Sequence, residues 1–332
     1  MASKYKPSYR RQKTVLTAST KAVIVMLAVL VVTLAVFLIK SVMSQALKPD
    51  IVYPPESSDT DETPVRTDTE ASTDEAETAM PVRTVEDSRF DTKEGALVLV
   101  NRDNAYTLPS DAELLTLYDE RHENFTLDNI SVKLCAPAYD ALCRMTDAYA
   151  DRSGYCPLML ISGYRDGAEQ TKYYEEYVIN ESDKAYVELP GFSDHHTGLA
   201  FDVRLYDKDG ASYSYGRYAT EKAKWLVENY KYYGFVIRYP ANKESYTGIS
   251  GESNHFRYVG LPHSVYMTDK GVCLEEYLQI LRRHPYDDPL KIEVEHDEYL
   301  VWYCQGDVIV PRDGDYEVSG DNVGGFVVSV RK

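Results

Sequence analysis

Between residues 22 and 39 the chain reads AVIVMLAVLVVTLAVFLI, eighteen residues in which Thr33 is the sole polar side chain. No other feature constrains the architecture as strongly, because this run divides the chain into a short tail, a span and everything beyond. As a helix it extends roughly 27 Å, close to the ~30 Å hydrocarbon core of a bilayer. Six basic residues and no acid precede it (Lys4, Lys6, Arg10, Arg11, Lys13 and Lys21). The positive-inside rule then keeps residues 1–21 as a cytoplasmic basic tail and sends the rest outside. A cleaved signal peptide is the competing reading, since Ser44-Gln45-Ala46 resembles a small-x-small cleavage site. The run exceeds the roughly 7–15 apolar residues of such signals, and Lys40 separates it from that site. An uncleaved transmembrane helix over 22–40 is therefore expected.

The 332-residue chain has a formal net charge of −17, and its basic tail makes the remainder more acidic still. A phosphate binder needs a basic face, so nucleic acid is excluded as a partner. Residues 56–79 hold nine acids, one arginine and no aromatic side chain. Such a stretch buries too little apolar surface to offset its ordering entropy, and its like charges repel. Residues 41–94 are expected to form a disordered acidic linker of roughly 35–40 Å as a coil.

Periodic hydrophobicity begins near Ala96. Helical patterns cover 138–151, 169–180, 220–232 and 274–283; strand-like runs cover 158–162, 199–205, 235–238 and 256–259. In the first helix Ala138, Leu142, Met145 and Tyr149 share one face. Helices and strands mix without a regular βαβ repeat, which predicts an α+β fold with a mainly antiparallel sheet flanked by helices over 95–288. From 289 to 332 the pattern is all strand and reads as a small β appendage, for which packing on the main domain is the default. The five cysteines form no C-x-x-C pair, which argues against a zinc ribbon or a thioredoxin-type motif.

Two segments carry candidate chemistry. In Pro190-Gly-Phe-Ser-Asp-His-His-Thr-Gly-Leu-Ala-Phe-Asp-Val203, a glycine-containing turn delivers histidine just before a strand. Asp202 shares a strand face with Ala200, while Leu199, Phe201 and Val203 take the other. An acid inside an apolar strand is unfavourable unless a charge or a metal partners it. In Gly251-Glu-Ser-Asn-His-Phe-Arg-Tyr-Val-Gly260, Glu252 and His255 lie three apart beside another apolar strand. Two histidines and Asp202 would supply N/O ligands for catalytic zinc, with Glu252 free to act as a base. Against this, one histidine beside one acid is more often a structural hydrogen-bonded pair. Spacing alone leaves His195 and His196 equal as ligands. A third segment, Leu160-Ile-Ser-Gly-Tyr-Arg165, ends a strand in a basic residue. Asp166 and Glu169 fit a capping box for the helix that follows. Arg165 beside that helix start would make a carboxylate receptor, or else a surface arginine paired with an acid.

The ordered motifs S-G-Y-R-x-x-x-x-Q, S-x-H-x-x-G-x-A-x-D and E-x-x-H-x-R-Y-V-G resemble those of the VanY-type D-alanyl-D-alanine carboxypeptidases, zinc enzymes of bacterial peptidoglycan. The resemblance covers roughly residues 95–285 and implies a Hedgehog/DD-peptidase-like fold. By position it makes His195, Asp202 and His255 the zinc ligands and Glu252 the catalytic base and acid. Arg165, Gln170 and Ser193 would hold the free carboxylate of the peptidoglycan stem peptide. One departure touches specificity: Ser253-Asn254 stand where the family usually has Pro-Trp, so an aromatic wall is lost. The reading that follows is a membrane-anchored zinc carboxypeptidase removing the terminal D-alanine from stem peptides outside a bacterial, by resemblance Gram-positive, cell. Its rivals are an L,D-carboxypeptidase acting on tetrapeptide stems, a D,D-dipeptidase acting on free dipeptide, and a non-catalytic zinc-containing wall-binding module.

Overall fold

The computed structural model describes residues 80–180, 187–206, 212–213 and 221–332. The expected tail, the span at 22–40 and most of the linker lie outside these residues. Among the described residues no helix is long and apolar enough to cross a membrane.

Strands β1 (Val82–Val85), β2 (Leu114–Thr116), β3 (Thr126–Leu127) and β4 (Lys133–Cys135) precede helix α1 (Ala136–Ser153). Then come β5 (Leu158–Ser162), α2 (Gly167–Asn180), β6 (Ala200–Tyr206) and β7 (Ser212–Tyr213). Helix α3 (Glu221–Asn229), β8 (Phe235–Tyr239) and β9 (Glu252–Tyr258) follow, and α4 (His263–Lys270) and α5 (Leu274–Leu281) close the body. Five more strands complete the chain: β10 (Leu290–Val294), β11 (Asp297–Cys304), β12 (Val308–Pro311), β13 (Tyr316–Gly320) and β14 (Phe326–Arg331).

The central sheet has the order β3-β5-β6-β9-β8, with β7 pairing β6. Every pairing in it is antiparallel except β3 with β5. One face is covered by α1, whose Ala138, Leu142, Met145 and Tyr149 pack against Leu160, Phe201, Val203 and Phe256. That is the predicted helix stripe meeting the predicted odd-numbered face of β6, and it leaves Ala200 and Asp202 for the other side. The mixed, mainly antiparallel architecture agrees with the fold class expected from the sequence.

Two features bear on the domain boundaries drawn from the sequence. Residues 289–332 are continuous with the body: β10-β11-β14-β13 form one sheet, and its Ile292, Val301 and Val327 share a core with Leu97, Val236, Val259 and Leu278. On its other face Trp302 and Val328 pack with Val308, Val310 and Phe90. Burial on both sides explains why Phe326, Val327, Val328 and Val330 of β14 are apolar on both faces. The second is at the linker, since a strand lies within residues 41–94 drawn as linker. There Val82–Val85 pairs antiparallel with Val308–Pro311. The acidic composition stops before Met80, and Val82, Val85 and Phe90 restore enough apolar surface to dock. All five cysteines are free thiols.

Candidate active site

Residues Asp194–Thr197 form a 3-10 turn ended by Gly198 in the left-handed region, at φ 66°. A Cβ on Gly198 would lie 2.7 Å from Cys135 Sγ, so glycine alone suits both the dihedral and the packing. The turn sets His195 just ahead of β6. Along β6, Asp202 sits opposite His255 of β9 on one side and Ser162 of β5 on the other. Ladder register thus gathers groups that lie far apart in sequence.

His195 Nε2 is 3.2 Å from Asp202 Oδ2, and His255 Nδ1 is 3.1 Å from Asp202 Oδ1. The two imidazoles meet edge to face with centroids 4.7 Å apart. One ligating atom from each of the three residues lies within 4.8 Å of the others. His195 Nδ1 donates to the Gly163 carbonyl at 2.7 Å, so its lone pair is on Nε2, facing Asp202. His196 has no such freedom. Its Nδ1 donates to the Arg165 carbonyl at 2.7 Å and its Nε2 accepts from the Gly191 amide at 2.9 Å. Of the two, His195 is the one with a ring nitrogen open to the Asp202–His255 cluster, while His196 braces the Arg165 turn. Ser162 Oγ donates to Asp202 Oδ2 at 2.5 Å, which fixes the carboxylate.

Asp194 is a site residue that sequence reasoning missed. Its carboxylate is fully buried, with Oδ2 3.6 Å from His255 Nε2. Oδ1 accepts from Arg257 and lies 3.5 Å from Arg238 Nε. Arg238 is itself clamped by Glu275 at 2.8 and 2.9 Å. The only hint was an acid beside His195; its partners lie on other strands. Burial alone would raise Asp194, yet Arg257 and Arg238 hold it below the ordinary carboxylate range.

The remaining charges follow from the same balance. Burial opposes ionisation of Asp202, but the two histidines keep it well below its usual value. Burial also opposes a proton on His255, and Asp202 and Asp194 outweigh it, raising the group. Burial and the Arg165 charge lower His195. Without a cation, then, a proton on His255 neutralises the cluster. Two imidazoles and one carboxylate are an N/O donor set suited to zinc, and Asp194 Oδ2 backs His255 at Nε2, the nitrogen turned away from Asp202. Carboxylates that orient metal-binding histidines commonly change metal affinity about 10–100-fold when removed. Asp194→Asn is accordingly expected to weaken zinc binding by about that factor, read by competition with a chromogenic chelator.

Glu252 opens β9 opposite Tyr239. The strand therefore starts earlier than the apolar run from 256 had suggested. Its Oε2 is 3.7 Å from His255 Nδ1, and burial, with Glu188 and Asp202 nearby, pushes its carboxyl up to about 8. A carboxyl near the operating pH is matched to proton transfer. Arg165 Nε, Gln170 Oε1 and Ser193 Oγ are buried without hydrogen-bond partners. The Arg165 guanidinium lies 4.4 Å from the Tyr173 ring centroid, and Gln170 Nε2 donates to the Glu188 carbonyl at 2.8 Å. The capping box is present: Asp166 Oδ1 accepts from the Ala168 and Glu169 amides, and Glu169 Oε2 accepts from the Asp166 amide. Ser253 and Asn254 are half-buried in β9.

The donor set defines a candidate metal centre with a carboxyl suited to proton transfer at its rim. Comparison with known proteins narrows the reading. The VanY family model, D-alanyl-D-alanine carboxypeptidase, matches residues 131–261, a span containing all seven candidate residues. A D-alanyl-D-alanine carboxypeptidase of Enterococcus faecium is 32% identical over 244 residues, covering 71% of this chain and 75% of the relative. The bifunctional D-Ala-D-Ala dipeptidase and carboxypeptidase VanXYC of Enterococcus gallinarum is 39% identical over 147 residues, 43% of this chain and 74% of that one. Among solved structures, the vancomycin resistance D,D-dipeptidase VanXYg in complex with a D-Ala-D-Ala phosphinate analog has a TM-score of 0.64 at 29% identity, covering 76% of this chain and 99% of that chain. The chain belongs to the VanY family of D-alanyl-D-alanine carboxypeptidases and is a peptidase.

Proposed function

We propose that the protein is a zinc D-alanyl-D-alanine carboxypeptidase that removes the C-terminal D-alanine of peptidoglycan stem peptides. The observation that carries this reading is the cluster of His195, Asp202 and His255 with Glu252 at its rim, 3.7 Å from His255. His195, Asp202 and His255 would hold the zinc, which supplies Lewis-acid polarisation of a carbonyl and makes water more acidic. Glu252 takes a proton from the attacking water and passes it to the leaving amine of D-alanine. The terminal carboxylate needs several donors, and Arg165 offers a planar fork, with Gln170 and Ser193 beside it as further polar contacts. The apolar run at 22–39 and the basic residues before it support anchoring of this domain to the outer face of the cell membrane.

Incubation of the full chain with stem pentapeptide, stem tetrapeptide and free D-Ala-D-Ala tests the reading. Release of D-alanine from pentapeptide is expected. Release from tetrapeptide alone would make it an L,D-enzyme, and release from neither stem would refute a carboxypeptidase. A charge-assisted hydrogen bond contributes about 1.5–3 kcal/mol, so Arg165→Ala is expected to lower kcat/KM for pentapeptide about 10–100-fold, chiefly through KM.

A further inference from the structure

A second cleft, of about 500 Å³, lies where the C-terminal sheet overhangs the peptidase body. It is separate from the catalytic cluster. Tyr258, on its wall, ends the strand that Glu252 begins, roughly 20 Å away along β9 at about 3.3 Å per residue. Five of its lining residues are tyrosines, contributed by both sides: Tyr232, Tyr233 and Tyr258 from the body, Tyr299 and Tyr316 from the sheet. Junctions between packed units are a common place for ligand sites.

Tyr258 is braced from behind. The Tyr258 ring meets Phe235 edge to face at 5.7 Å. Gly234, at φ 87°, gives it room, since a Cβ there would come within 2.7 Å of Tyr258 Cε2. Among the described residues, the hydroxyls of Tyr233, Tyr258 and Tyr299 have no hydrogen-bond partner, and neither does the Glu317 carboxylate. Burial raises the pKa of all four groups, as expected for polar groups in a partly dry cleft. The formal charges of the lining cancel, with Arg144 and Arg331 against Asp315 and Glu317, and Arg331 is already engaged by Asp297 at 2.7 Å.

Flat aromatic walls, unpaired hydroxyls, an unpaired acceptor and no net charge match one ligand chemistry best. A pyranose ring offers an apolar face for stacking and a rim of hydroxyls that both donate and accept. An anionic polymer would face two carboxylates with one arginine already spent. We propose that this cleft binds an uncharged carbohydrate, namely the glycan strand of the polymer whose stem peptides the catalytic site trims. The carbohydrate chemistry stands on the cleft alone; the identity of the strand rests on the proposed function.

Titration of the full chain with tetra-N-acetylchitotetraose, an uncharged β-linked tetrasaccharide, tests this by calorimetry and by NMR of the tyrosine rings. Saturable binding is expected, with the largest shifts at Tyr258 and Tyr299. Tyr299→Ala should weaken it about tenfold, in line with the loss of an aromatic platform; Tyr299→Phe, which keeps the ring, should weaken it less. D-alanine release from soluble pentapeptide should be unchanged in Tyr299→Ala, while release from intact glycan-linked peptidoglycan falls several-fold. Absence of saturable binding overturns the proposal, as does undiminished binding by Tyr299→Ala at an unaltered melting temperature. If Tyr299→Ala does not fold, ring shifts of Tyr258 and Tyr299 in the wild-type protein decide it. Sugar binding without pentapeptide hydrolysis would sink the peptidase reading and leave the cleft assignment standing.

Discussion

Glu252→Ala is expected to lower kcat for D-alanine release by about 10²–10⁴-fold, the range that general acid–base catalysis supplies. The residue is outside the set of ligating atoms, so zinc stoichiometry by elemental analysis should be unchanged. Its stability signature is more diagnostic. A carboxyl whose folded pKa is raised from 4.5 to about 8 is protonated in the native state over a range where the unfolded chain is ionised. In the metal-free protein native stability therefore declines as pH rises from about 4.5 to 8, and above that the full penalty of a buried carboxylate is present. Glu252→Gln removes that penalty, so it should raise Tm at pH 8–9 even as it abolishes turnover. A catalytic group commonly burdens the fold in this way. Wild-type turnover by Glu252→Ala would remove the residue from the mechanism.

The second large effect concerns the metal. Dialysis against a chelator should abolish turnover and lower Tm, and zinc should restore both. A ligand at a thousand times its Kd contributes about 4.1 kcal/mol to the folded state. The pH dependence has a definite sign. In the metal-free protein His255 is raised above 6.5 to about 10, burial opposing and Asp202 and Asp194 prevailing. Its stabilisation is therefore full below about pH 6.5 and is lost as pH climbs towards 10. A cation taken up by the cluster displaces that proton. Zinc binding at pH 7–8 should release about one proton per ion, measurable by calorimetry in buffers of differing ionisation enthalpy. Full activity in a protein shown by elemental analysis to hold no metal would refute the site.

Where periodicity is local, the sequence already shows the structure. The alternation of Leu199, Phe201 and Val203 with Ala200 and Asp202 places the acid on the face away from α1, and the helix stripe from Ala138 to Tyr149 packs as its spacing requires. Residues that depend on distant partners are opaque to such reading. Asp194 looks like a turn residue until Arg238, Arg257 and Glu275 close around it. Glu252-Ser-Asn has no strand pattern, yet pairing with β8 draws it into the sheet. His196 matches His195 in composition, and only the carbonyl of Arg165 and the amide of Gly191 tell them apart. Val82–Val85 is too short to stand out beside an acidic tract, and its strand partner is near the other end of the chain.

The position of β14 has a consequence for the stability of the peptidase body. It lies inside the sheet, between β11 and β13, and Val327 seals the core that Leu97, Val236 and Val259 begin. The catalytic strands are complete well before residue 300, and α4 and α5 cover Val236 and Val259, but the core they share with the C-terminal sheet is completed only by Val327 of β14. The peptidase body and the C-terminal strands therefore share one core instead of standing as separable parts. Removal of β14 is therefore expected to lower the melting temperature of the peptidase body as well as undo the C-terminal sheet.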